Sequence, residues 1–122
     1  MRRIFLHHFS LAFFLCGAVV FSACTKKVEV SSDPAVREKA LLIEKGRALY
    51  QSVCITCHNP NPTQNGVLGP SVAGSSLELL EARVVNASYP PGYTPKRSTK
   101  SMAALPHLKN DLPALYAYLN NL

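Results

Sequence analysis

Five consecutive residues, Cys54-Ile55-Thr56-Cys57-His58, constrain this chain more than any other feature. Residues three apart sit about one helical turn from each other. The two thiols can therefore face one edge of a single bound group while the histidine that follows is carried beneath it. Chain length gives that group a reason to be large. The 122 residues suffice for one domain once a leader is set aside. A domain this small usually needs a disulfide, a metal or a cofactor to complete its interior. No disulfide framework is evident, because Cys16 and Cys24 lie in the hydrophobic N-terminal stretch and Cys54 and Cys57 form the tight pair.

Cys-x-x-Cys-His is the sequence of covalent haem attachment. Each thiol adds to one vinyl group of a porphyrin edge, and His58 ligates the iron through an imidazole nitrogen. Two other chemistries share the cysteine pair. A dithiol redox site would want βαβ surroundings, which the sequence lacks. Zinc would need four ligands, and Cys54, Cys57, His58 and His107 are a set available on paper, although adjacent Cys57 and His58 would both have to reach one tetrahedral ion. The expected cofactor is one haem c, covalent through Cys54 and Cys57.

The N-terminus reads as an export segment. Arg2 and Arg3 precede a run from Ile4 to Thr25 with no Lys, Arg, Asp or Glu, the shape of a secretory signal. Phe21-Ser22-Ala23-Cys24 resembles a bacterial lipobox, with Phe where Leu is usual. The expected organisation is a lipoprotein-type signal peptide over 1–23, a lipidated Cys24 and tether over 24–33, and the folded domain over 34–122. An uncleaved spanning helix, which needs about 20 apolar residues, and simple cleavage after Ala23 are the alternatives. Either tethered form places the domain outside the cytoplasm, on the periplasmic or outer face of a bacterial membrane. Each buried acyl methylene would contribute ~0.8 kcal/mol to anchoring.

Within the domain the apolar pattern is helical. Asp33-Pro34 suits an N-cap followed by Pro at the first helical position, and Leu42, Gly46, Leu49, Tyr50 and Val53 then share one face. A first helix is predicted over 34–53. Ser75-Ser76-Leu77-Glu78 fits a capping box ahead of a stripe of Leu77, Leu80 and Val84, predicting a second helix over 76–86. Asn110 and Asp111 can cap a last helix over 111–121, with Leu112, Leu115, Tyr118, Leu119 and Leu122 on one side and Pro113 tolerated in the first turn. The two long segments between helices, 59–74 and 87–107, are rich in Pro, Gly, Asn and Ser. Loops of that length need something other than secondary structure to pack against, and a haem is large enough to serve.

The sixth iron position separates electron transfer from small-molecule chemistry. Met102 is the only methionine besides the initiator, and it stands in the Pro-bounded loop before the last helix. A lone Met is often core filler; this position favours a ligand instead, with His107 as the rival. A thioether opposite imidazole would favour ferrous iron and close the metal to oxygen. The formal charge of +6 is scattered, with no helix carrying it on one face, so nucleic acid is not an expected partner.

These residues resemble the class I monohaem cytochromes c over about 36–122. The likeness rests on Gly46 and Tyr50, Cys54 to His58, the segment Leu68-Gly69-Pro70-Ser71-Val72-Ala73-Gly74, and Met102 before the terminal helix. The resemblance implies an all-α fold whose helices and long loops wrap one covalently attached haem. It implies that Gly46 and Tyr50 meet Leu115 and Tyr118 where the first and last helices cross, and that the Pro70 carbonyl accepts the His58 N–H. The family often sets tryptophan beside a propionate, and here there is none; Asn86, Tyr89, Tyr93 and Arg97 are the candidate donors to propionates or to the Met102 sulfur. The expected function is electron transfer rather than catalysis, as a tethered shuttle between respiratory-chain proteins such as a quinol-oxidising complex and a terminal oxidase or reductase. Lys96, Arg97 and Lys100 are candidates to steer an acidic partner. A peroxidase or gas-binding domain, and a subunit of a larger haem complex, are the other functional classes.

Overall fold

The computed structural model describes residues 32–98 and 101–122. The signal peptide, the Cys24 lipobox, the start of the tether and Lys100 lie outside the described residues. Among the described residues the fold is all-α, with no strand, and no helix is long and apolar enough to cross a membrane.

Helix α1 spans Pro34–Val53, the predicted range. Asp33 starts it by accepting from the Ala35 N–H at 2.9 Å, and Pro34 takes the first position, where a missing N–H costs nothing. Gly46 and Tyr50 are buried, Leu49 and Val53 half-buried, and Leu42 is exposed, so the inward face is narrower than the sequence suggests. A 3-10 turn, Cys54–Thr56, continues from α1. It delivers the cysteine pair and His58 just where the helix ends.

Helix α2, Leu77–Leu80, runs into a wider π turn, Glu81–Val85. Its cap is displaced by one residue from the expected box. Ser75 is buried and donates its hydroxyl to the Val72 carbonyl at 2.7 Å, so Ser76 accepts from the Leu79 N–H instead. Glu78 then stands one position too early to reciprocate. Leu80 and Val84 are buried and Leu77 is exposed.

Helix α3, Leu112–Leu119, is led in by a 3-10 helix, Pro106–Asp111. Asp111 makes no side-chain cap; its carboxylate pairs with Lys45 of α1 at 2.7 Å. That exposed pair contributes under about 1 kcal/mol. Leu112, Leu115, Tyr118 and Leu119 are buried, whereas Leu122 lies beyond the helix and is exposed.

The core forms where α1 crosses α3. A Cβ at Gly46 would overlap the Ala114 carbonyl and lie 2.9 Å from the Tyr118 Cβ, so glycine is what lets the two backbones touch. The nearest atoms to Gly46 belong to Ala114 and Tyr118, and Leu115 joins Tyr50 and Tyr118 in the core, as expected. One turn on, the Tyr50 and Tyr118 rings pack tilted at 5.7 Å, joined by Leu80, Val84, Leu108, Leu112, Leu115 and Leu119.

Tyr50 also fastens the first loop. It is 1 % exposed, and its hydroxyl donates to the Asn59 carbonyl at 2.7 Å. Burial, then the neighbouring Cys54 and Tyr118, pushes its pKa from 10.0 up to about 12. The folded protein therefore keeps a proton that the unfolded chain releases, and stability should fall as pH rises from 10.0 toward about 12. Tyr50→Phe is expected to cost about 1–3 kcal/mol by leaving that carbonyl unpaired, and to remove this alkaline slope. Urea unfolding at several pH values measures both.

Candidate haem site

Cys54, Cys57, His58, Pro70 and Met102, assigned to one site by sequence, all line a single cavity of about 400 Å³. The volume lies within the ~300–1,000 Å³ usual for cofactor pockets. Three chain segments bring the five residues together. The end of α1 with its 3-10 turn contributes Tyr50, Val53, Cys54, Cys57 and His58; segment 68–72 forms a second wall; the loop before α3 brings Met102, Ala103 and Leu105. Leu79, Leu80, Val84, Leu115 and Leu119 continue the apolar lining.

His58 is fixed in orientation. Its own N–H bonds the Cys54 carbonyl at 2.9 Å and closes the turn, and its Nδ1 lies 2.8 Å from the Pro70 carbonyl. A carbonyl can only accept, so Nδ1 carries the proton and Nε2 keeps its lone pair. Gly69 packs flat against the ring: a Cβ there would fall 2.5 Å from Cε1 and Nδ1. Gly69 in turn donates its N–H to the Cys57 carbonyl at 2.9 Å, locking the loop to the cysteine turn.

The thiols differ in setting. Cys57 is exposed and Cys54 half-buried, with burial pushing the Cys54 thiol up to about 11. A dithiol redox centre works through a lowered thiol pKa, so this environment is the opposite of what that reading needs. Zinc fares no better, because His107 is exposed and does not line the cavity. Among the described residues no three His, Cys, Asp or Glu side chains are grouped to hold a metal ion. His107 is likewise poorly sited to rival Met102, which is half-buried and packs against the core.

Of the suggested polar donors, Tyr89, Tyr93 and Arg97 line the cavity and Asn86 does not. Sequence reasoning missed Arg83, which also lines it. Arg83 lies 4.3 Å over the Tyr89 ring and donates to the Ala87 carbonyl at 2.9 Å, while Tyr89 stacks on Tyr93 at 5.4 Å. The π turn shifts the helical register at that point, and no local sequence signal announces it. Lys96 and Arg97 donate to carbonyls of the 66–71 segment.

The donor set fits a haem: an oriented imidazole with a free Nε2, a thioether on the same cavity, two thiols at its edge, and a glycine where a side chain would collide with the ring. The Cytochrome c family model matches residues 43–122. The chain belongs to the Cytochrome c family, whose members bind haem c and serve haem-based electron transfer. No curated protein and no solved structure matched it.

Proposed function

We propose that this chain is a monohaem cytochrome c of class I type, tethered to a membrane and carrying single electrons between respiratory-chain components, with Cys54 and Cys57 attaching one haem and His58 and Met102 ligating its iron. The observation that carries this reading is the 2.8 Å contact between His58 Nδ1 and the Pro70 carbonyl, in a cavity that also receives both cysteines and Met102. The haem supplies a one-electron couple when bound.

The protein's own part is to hold and to exclude. The Pro70 carbonyl fixes the tautomer of His58 and strengthens Nε2 as a donor. Met102 offers a neutral, polarisable sulfur that favours the reduced metal. Apolar walls from Leu79, Leu80, Val84, Leu115 and Leu119 keep water away, which limits reorganisation around a changing charge. A lipid on Cys24 would hold the domain outside the cytoplasm, within reach of a quinol-oxidising donor and an oxidase or reductase acceptor. Reversing the charge of Lys96 or Arg97 would break loop contacts along with any docking they assist.

Met102→Ala tests the assignment. The variant should remain folded and haem-bearing, with a lower reduction potential, no sulfur-to-iron absorption band in the ferric state, and ready carbon monoxide binding when reduced. A variant that keeps the sulfur band and the wild-type potential would dismiss Met102. Release of a Cys24→Ser variant from membranes would support the lipid tether; continued sedimentation with membranes would argue for another anchor.

A further inference from the structure

The carbonyl that orients His58 belongs to a segment gripped on both sides by two adjacent cations from another loop. Arg97 donates through Nη2 to the Gly66 carbonyl at 2.9 Å, and through Nη1 to those of Val67 at 3.1 Å and Leu68 at 3.2 Å. Lys96 reaches past Pro70 to the Ser71 carbonyl at 2.8 Å, with Ser71 Oγ at 3.4 Å. Pro70 lies between the two grips.

We infer that Lys96 and Arg97 are positioning residues for the proximal imidazole, a clamp that holds segment 66–71 so that the Pro70 carbonyl stays on His58 Nδ1. The inference rests on His58 being the iron ligand proposed above.

The segment needs such a clamp. It contains two glycines, each demanded by close approach: a Cβ at Gly66 would fall 2.6 Å from the Asn59 nitrogen, and one at Gly69 would strike His58. Glycine carries the largest conformational entropy to be restrained, and Pro70 has no N–H with which to join the restraint. Apart from the Gly69 N–H on the Cys57 carbonyl, the segment's backbone N–H groups reach only Gly66 to the Gly69 carbonyl at 2.9 Å and Ser71 to Asn65 Oδ1 at 2.9 Å. Three consecutive carbonyls directed at one point repel each other unless a cation gathers them. A planar guanidinium fork does this better than a flexible ammonium, and Arg97 is only partly exposed while doing so.

Both cations also line the cavity, so direct contact with the carboxylates of the bound group is the rival role. The haem-loaded protein and its Arg97→Ala, Arg97→Lys and Lys96→Ala variants separate the two, using solvent exchange of the His58 Nδ1–H followed by NMR, together with the reduction potential. Arg97→Ala should accelerate exchange by about tenfold or more, the scale of a lost charge-assisted hydrogen bond. It should also raise the potential, as the imidazole becomes a weaker donor. Lys at position 97 keeps the charge and loses the fork, so it should recover only part of the protection; Lys96→Ala should accelerate exchange by roughly threefold, as an exposed contact would. If Arg97→Ala fails to mature, the Arg97→Lys and Lys96→Ala proteins decide the matter by the same exchange rates. Unchanged exchange in the variants, or full recovery with lysine, would overturn the clamp. A wild-type protein whose His58 gives no iron-perturbed resonance would instead remove the ligand assignment and the clamp with it. A normal His58 resonance indifferent to residues 96 and 97 removes the clamp alone.

Discussion

Replacing both Cys54 and Cys57 by alanine should yield a colourless polypeptide that does not unfold cooperatively. The reason is the size of what the cysteines secure. The cavity of about 400 Å³ is cut into the core itself, since Leu80, Val84, Leu115 and Leu119 of the core cluster lie along it. Vacated apolar space costs about 24 cal/mol per Å³, so the whole cavity corresponds to on the order of 10 kcal/mol as an upper bound for a site open to solvent. A domain has only about 5–15 kcal/mol to lose. The segments that bring Leu68, Gly69, Pro70, Ser71 and Val72, and Tyr89, Tyr93, Lys96 and Arg97, to the cavity would give way first, because among the described residues they hold no regular secondary structure of their own. Circular dichroism with urea titration checks this: a sloping, transition-free profile is expected, and a cooperative transition without cofactor would show that the polypeptide carries its own core.

Gly46→Val should be the most damaging single substitution away from the cavity. Its first added carbon would overlap the Ala114 carbonyl, and the neighbouring Tyr118 Cβ stands 2.9 Å away, so relief requires α1 and α3 to part. Backbone cannot move aside as a flexible side chain can. Overpacking typically costs about 1–3 kcal/mol, and a β-branched residue recovers little of the roughly 1 kcal/mol by which glycine disfavours a helix. A net loss near 3 kcal/mol corresponds to a fall in Tm of about 12–24 °C for a domain of this size. Parting the helices also separates Tyr50 from Tyr118, so thermal unfolding should be accompanied by a changed near-ultraviolet signal from the tyrosines. A variant with wild-type Tm would mean the crossing is looser than the structure has it.

Much of this architecture was legible from the residues because the governing signals are local. Asp33-Pro34 determines the start of α1 through a hydrogen bond two residues long, and the predicted range matched. Cys54 to His58 encodes its own turn, and resemblance placed Pro70 on His58. Legibility ended where a side chain had a better partner far along the chain. Ser75 left its capping role for the Val72 carbonyl, and Asp111 left its cap for Lys45. Lys96 and Arg97, read from sequence as candidates to steer an acidic partner, are also held by carbonyls of residues 66–71, some 30 positions away in sequence for Arg97. The π turn at Glu81–Val85 altered the facing of Arg83, and no periodicity argument foresees a change of period. Pattern reading also overstated burial at Leu42, Leu77 and Leu122, since it marks a face without knowing where the neighbouring element stops.

The central claim is that one haem is joined to this polypeptide through Cys54 and Cys57, and an intact-mass measurement on denatured, acid-acetone-extracted protein from cells equipped for cofactor attachment tests it most directly. The account requires a mass above that of the mature polypeptide by one haem, localised by fragmentation to the peptide containing Cys54-Ile55-Thr56-Cys57-His58. A bare polypeptide mass, with the pigment gone into the solvent, would contradict it.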